Sequence, residues 1–217
     1  ISTRDWSSDV CSSDLLNAAR LYATALVEKT EKTPLETHAV NIDQSLDAVE
    51  EILGALLDIS RLDTGALKPE FSVFRIEEIL KQVRVEFGPV AKDRGLDLEV
   101  VSSSLWVRSD RRLLRRLVQN LVSNAIKYTP EGRVLVGVRR RRGRLSVEVL
   151  DTGLGIREKE QKLIFQEFQR LDQGAKIARG LGLGLSIVER ISRVLTHPIG
   201  LASQPGRGSR FWVEVQI

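Results

Sequence analysis

Apolar positions along the chain fall into two regimes. From Leu15 onward Leu16, Ala19, Ala23 and Leu26 recur at intervals of three and four, the period of a helix face. A polar stretch from Glu31 to Thr37, containing Pro34, ends that pattern. A second helix is expected from about Ala39 to Leu62. Its residues Ile42, Leu46, Val49, Leu53 and Leu56 alternate spacings of four and three, the seam of a coiled coil or bundle. Ile52, Leu57 and Ile59 widen that face. So wide a stripe exceeds what two helices can bury between themselves, so a second copy completing a four-helix bundle is expected. Asp63-Thr64-Gly65 closes the helix, with Gly65 as its C-cap.

Beyond Gly65 the pattern mixes periods of two and 3.6. Strands are expected over Phe71–Arg75, Leu96–Val101 and Leu105–Val107. Helices are expected over Ile76–Asp93, interrupted or ended near Gly88-Pro89, and over Asp110–Lys127. Val134–Arg139 and Leu145–Leu150 alternate around Gly143 as a hairpin. A glycine-interrupted stretch leads to a helix over Gly184–Leu195 and strands over Ile199–Ser203 and Ser209–Ile217. Hairpin strands with helices gathered on one face make an α+β fold, a two-layer α/β sandwich preceded by an α-helical hairpin. The expected domains are an atypical leader over 1–14, a helical dimerisation hairpin over 15–68, and an α/β domain over 69–217. The leader repeats Ser-Ser-Asp around Cys11 without a sustained period and reads as a foreign or unstructured tail.

Composition narrows this little. An apolar content of 42% over 217 residues supports a packed core. No apolar run reaches the roughly 18 residues that span a membrane, and no secretion signal opens the chain. A single cysteine excludes an internal disulfide and fits a cytoplasmic setting. The net charge of +4 neither demands nor excludes an anionic ligand. The run Arg139–Arg142 with Arg144 sits at a hairpin tip, where arginines are usually solvated, so no nucleic-acid partner is expected.

Four stretches carry chemistry. Asn120, Asn124 and Lys127 project from one face of the Asp110–Lys127 helix, with Tyr128 following, while Leu117, Leu121 and Ala125 can face the sheet. Amide oxygens suit Mg²⁺ and an ammonium suits phosphate, although such a stripe alone equally fits a solvated face. Asp151-Thr152-Gly153-Leu154-Gly155-Ile156 follows a strand. Its glycines permit a tight turn, and Asp151 can accept from an exocyclic amine. Phe165 and Phe168 could clip a loop, or bury as a pair, with Arg170 able to reach phosphate. Gly180-Leu181-Gly182-Leu183-Gly184-Leu185 runs into a helix and offers backbone N–H groups to an anion. Between Gln161 and Arg179 lies a polar loop suited to be a lid.

In order and context these stretches resemble the N, G1, F and G2 boxes of the histidine kinase branch of the gyrase, heat-shock chaperone, histidine kinase and MutL ATPase superfamily. Gly206-Arg207-Gly208-Ser209-Arg210-Phe211 resembles its closing strand. The resemblance covers Leu15 to Ile217. It implies ATP and Mg²⁺ as cofactors, with Asn124 holding the metal, Asp151 reading adenine and Lys127 and Arg170 touching phosphates. Tyr128, Gly153, Gly155, Ile156, Phe165, Phe168, Gly180, Leu181, Gly182, Gly184, Leu185 and Ser209 complete the implied nucleotide site. It also implies a homodimer through the hairpin, a response-regulator receiver domain as partner, and in the intact protein transfer of the γ-phosphate to a histidine and then to an aspartate. Hydrolytic members carry a glutamate where this chain has Asn120, and an amide is no useful base. The acceptor histidine with its acidic neighbour is missing. The only histidines are His38 and His197, read as surface or capping residues, so this chain is expected to bind Mg-ATP without phosphorylating itself. The rival reading is an ATP-binding regulatory or dimerisation module without kinase activity.

Overall fold

The computed structural model describes residues 6–30, 33–65, 67–141, 143–169, 171 and 182–217. The chain divides into two compact units, Ile1–Leu57 and Asp58–Ile217. In the first, α1 (Trp6–Thr30) and most of α2 (Glu36–Asp63) form a hairpin. An Arg20–Glu50 ion pair of 2.7 Å joins the two helices, and Ala23 and Ala39 are buried. Helix α1 begins at Trp6 rather than Leu15. The leader holds no Pro or Gly, the two residues that break a helix outright, so the helix nucleated further on can extend through it. Much of the α2 seam remains solvent-exposed, with Ile42 49%, Val49 40%, Leu53 39% and Leu56 42% accessible.

The second unit is a seven-stranded sheet covered by helices. Its strands are β1 (Ser72–Arg75), β2 (Asp97–Val100), β3 (Trp106–Ser109), β4 (Arg133–Arg141), β5 (Arg144–Asp151), β6 (Ile199–Gln204) and β7 (Gly208–Gln216). The order is β1-β3-β7-β5-β4-β2, with β6 also pairing β7. All pairings are antiparallel except β2 with β4. Period-two alternation turns Leu145, Val147 and Val149 of β5 and Phe211, Val213 and Val215 of β7 into the core.

Helices α3 (Glu77–Asp93), α4 (Arg111–Lys127) and α5 (Gly184–Leu195) supply the facing apolar side chains, among them Ile79, Leu80, Leu114, Leu117, Ile187 and Ile191. Helix α3 passes Pro89 without a break. Pro89 and Val85, whose carbonyl loses its amide partner there, are both exposed, so water can satisfy that carbonyl. Buried Val83 and Ala91 meanwhile keep the helix seated on either side. Gly65 closes α2 with φ 65°, as its C-cap role requires.

Candidate functional site

Helix α4 is set in register by Asp110. This N-cap is buried, and its Oδ1 accepts from Leu113 N at 3.0 Å and its Oδ2 from Glu70 N at 2.8 Å. With α4 so fixed, Leu117, Leu121 and Ala125 are buried, while Asn120, Asn124 and Lys127 lie half-buried along the adjoining stripe. Asn120 Nδ2 donates to Arg116 O at 2.9 Å, which spends one of its donors on its own helix. Against these amides sits Gly184, the first residue of α5. A Cβ there would lie 3.2 Å from Asn120 Oδ1 and 3.5 Å from Asn124 Nδ2. Leu183, the N-cap of α5, offers no side-chain acceptor, so among the described residues the first N–H groups and positive dipole end of α5 face no capping side chain.

A second cluster forms where α4 ends. Tyr128 caps the helix through its N–H to Asn124 O at 3.0 Å, and its carbonyl accepts from Leu154 N at 3.2 Å. Asp151 ends β5, and its Oδ1 accepts from Gly153 N at 2.9 Å and Ser209 N at 3.1 Å. Burial pushes its pKa up, and these two bonds oppose that only in part. Among the described residues its Oδ2 takes no hydrogen bond. Gly153 is required by close approach, since a Cβ there would stand 2.3 Å from Tyr128 O. Gly155, at φ 67°, faces Gln204 O, which a Cβ would approach to 1.9 Å. Ile156 N donates to Ser203 Oγ at 2.8 Å, and Ser203 Oγ lies 2.9 Å from Ser209 Oγ. The structure thus brings Tyr128, Asp151, Gly153 and Ser209 together, and sets Asn120 and Asn124 against Gly184.

Residues 109–217 match the model of the histidine kinase-, DNA gyrase B- and HSP90-like ATPase family. The chain belongs to this family. The signal transduction histidine-protein kinase BarA of Escherichia coli K12 is 34% identical over 206 residues, covering 89% of this chain and 22% of BarA. The sensor protein GacS of Pseudomonas syringae is 30% identical over 204 residues, again covering 89% of this chain and 22% of the relative. The chain therefore spans about a fifth of the length of the curated relatives it matches. Full-length ShkA, solved in complex with AMPPNP, superposes with a TM-score of 0.76 at 30% identity, covering 93% of this chain and 43% of ShkA.

Of the two readings open for Phe165 and Phe168, a loop clip or a buried pair, the pair does not form. Ile164 is the buried residue, and Phe168 is 59% exposed with φ 59°. Phe165 instead lines a cavity of about 450 Å³ with Glu189, Ser192, Arg193, Ile199, Gly200 and Leu201. Gly182 lies two residues before α5 and Leu185 is its second residue, and Gly182 holds φ 74° against Gln169. Arg170, Gly180 and Leu181 lie outside the described residues.

His197 is not a surface residue but does help cap α5, its backbone N–H donating to Ser192 O at 2.9 Å. It is buried, with Nε2 2.9 Å from Ser109 Oγ and its ring edge-on to Phe71. Burial is the main cause that lowers its pKa. Thr129 and Ser203 escaped sequence reasoning, and Gly208 was seen in its motif without a role in the site. Thr129 is buried and donates to Ala125 O at 2.7 Å, beside Gly153. Ser203 links the Gly155 turn to β7. Gly208, at φ 93°, lies where a Cβ would come within 1.9 Å of Asp151 O. Only Gly208 carried a signal, as part of the Gly-x-Gly-Ser stretch.

Proposed function

We propose that this chain binds Mg-ATP and, within its parent protein, delivers the γ-phosphate to a histidine, from which it passes to an aspartate of a response-regulator receiver domain. The observation that carries this reading is the seating of Gly184 against the Asn120 and Asn124 amides, with Tyr128 joining that helix to the Asp151 turn. The uncapped start of α5 suits phosphate. Asp151, with Oδ1 held by two amides and Oδ2 available, suits the exocyclic amine of adenine.

Among the described residues no group of three or more His, Cys, Asp or Glu could hold a metal on its own. Mg²⁺ would therefore arrive with the nucleotide and take the Asn124 amide oxygen, a hard ligand. When bound, it would neutralise phosphate charge. Lys127 and Arg170 would contact phosphate as well. Asn120, already donating to Arg116 O, offers no base for water, which favours transfer over hydrolysis.

The exposed α2 seam favours a homodimer through the hairpin. Among the described residues no helix is long and apolar enough to cross a membrane. A cytoplasmic site of action would supply both ATP and the receiver domain.

His197 is buried, and His38 lacks an acidic residue immediately after it, so neither suits the role of acceptor. That observation favours a second reading, an ATP-binding regulatory module without kinase output. Titration calorimetry with Mg-ATP tests the site. Binding should be measurable in the chain as it stands and weakened at least about tenfold by Asn124→Ala, the scale of one lost charge-assisted contact. No heat from well-folded protein would end the proposal. Incubation with γ-labelled ATP and a separate acceptor-helix peptide separates the two readings, since only a kinase labels the peptide.

A further inference from the structure

Arg190 lies on the same helix as Gly184 and commits all three guanidinium nitrogens. Its Nε donates to Asp63 Oδ1 at 2.8 Å, its Nη2 to Glu167 Oε1, and its Nη1 to Ser186 O at 3.4 Å. The side chain is only 17% exposed, whereas Asp63 and Glu167 are 50% and 37% exposed. A rigid planar fork is the side chain suited to bridging two carboxylates in fixed directions, which a lysine could not do.

The three partners come from three places. Asp63 is the last residue of α2. Ser186 is in the first turn of α5, beside the Gly184 contact with Asn120 and Asn124. Glu167 opens a short tract that is held again at its other end. Phe168 adopts the left-handed backbone, and Gln169 O stands where a Gly182 Cβ would come within 2.5 Å. A phenylalanine keeps such a backbone only where its surroundings enforce it. Arg190 on one side and the Gly182 contact on the other are the described restraints.

We propose that Arg190 is a positioning residue for nucleotide binding: by gripping Asp63 and Glu167 together it makes the placement of the 167–169 tract beside the start of α5 depend on the end of α2. This rests on the Mg-ATP reading of the site. The end of the helix that carries the seam then influences nucleotide affinity without touching the nucleotide.

The test is Mg-ATP calorimetry on the full chain with Asp63→Asn, Asp63→Glu, Glu167→Gln and the Asp63→Asn/Glu167→Gln pair. All are measured well below their unfolding midpoints. Because both carboxylates are partly exposed, the effect is moderate. Asp63→Asn and Glu167→Gln should each weaken binding several-fold, to about tenfold at most. Asp63→Glu should stay near the parent value, because the carboxylate is retained. The double variant should lose less than the product of the single losses, since both act through one guanidinium.

A purely structural role would shift unfolding midpoints without distinguishing Asn from Glu at position 63 in affinity. Parent-like binding by Asp63→Asn, equal losses for Asn and Glu, or fully multiplicative losses would each overturn the clamp while leaving the ATP site intact. Absence of binding in the parent chain would instead overturn the ATP reading, and the clamp with it.

Discussion

Asp151 shows how one side chain can be held at odds with its solvation. Burial favours its neutral form, and two backbone amides restore part of the balance. A raised carboxyl pKa means that the folded chain binds this proton more tightly than the unfolded chain. Asp151 therefore costs stability at neutral pH, and acidification through its folded pKa relieves that cost. Its suggested use runs the opposite way, because protonation converts an acceptor for the adenine amine into a donor. Mg-ATP affinity should fall on acidification at a pH above the ordinary aspartate range. Asp151→Asn should lower affinity about tenfold to a hundredfold at neutral pH and flatten that dependence, as read by calorimetry across pH. The identity of this carboxylate was legible in the motif. The chain to which it owes its geometry was only partly so, because Ser203 and Thr129 act through contacts distant in sequence or local to a helix end.

Most elements beyond Gly65 were legible because period-two and period-3.6 patterns are strong there. Helix α5 spans Gly184–Leu195 as its pattern predicts, and α4 begins one residue after its Asp110 cap. Where the reading failed, an energetic term outside the pattern decided. Pro89 suggested an end to α3, yet exposure of the affected carbonyl made continuation inexpensive. Spacing left Phe165 and Phe168 open between a loop clip and a buried pair, and the exposure of Phe168 removes the pair. The Asp110 cap gives this scale a quantitative test. Asp110→Ala removes acceptors from Leu113 N and Glu70 N at once, and should destabilise the chain by about 1–3 kcal/mol. Urea unfolding should register this as a lower midpoint with little change in slope.

At the scale of the molecule, the hairpin and the sheet unit pose different problems. The sheet unit buries a continuous core within itself and leaves its exposed apolar residues, such as Val73 and Val85, scattered singly. The hairpin leaves Ile42, Val49, Leu53 and Leu56 accessible along a single helix, more than isolated surface leucines would explain. Sedimentation should find the chain dimeric at micromolar concentration, and Leu53→Glu with Leu56→Glu should shift it to monomer by burying charge in the seam. The sheet order carries a consequence in time as well. Strand β7 lies between β5 and β6, and its Ser209 amide is one of the two that grip Asp151. A nascent polypeptide paused on the ribosome before Gly208 has cleared the exit tunnel can form α4 and the β4–β5 hairpin, yet the Asp151 carboxylate would still be half-held. Competence for nucleotide should therefore come late in synthesis.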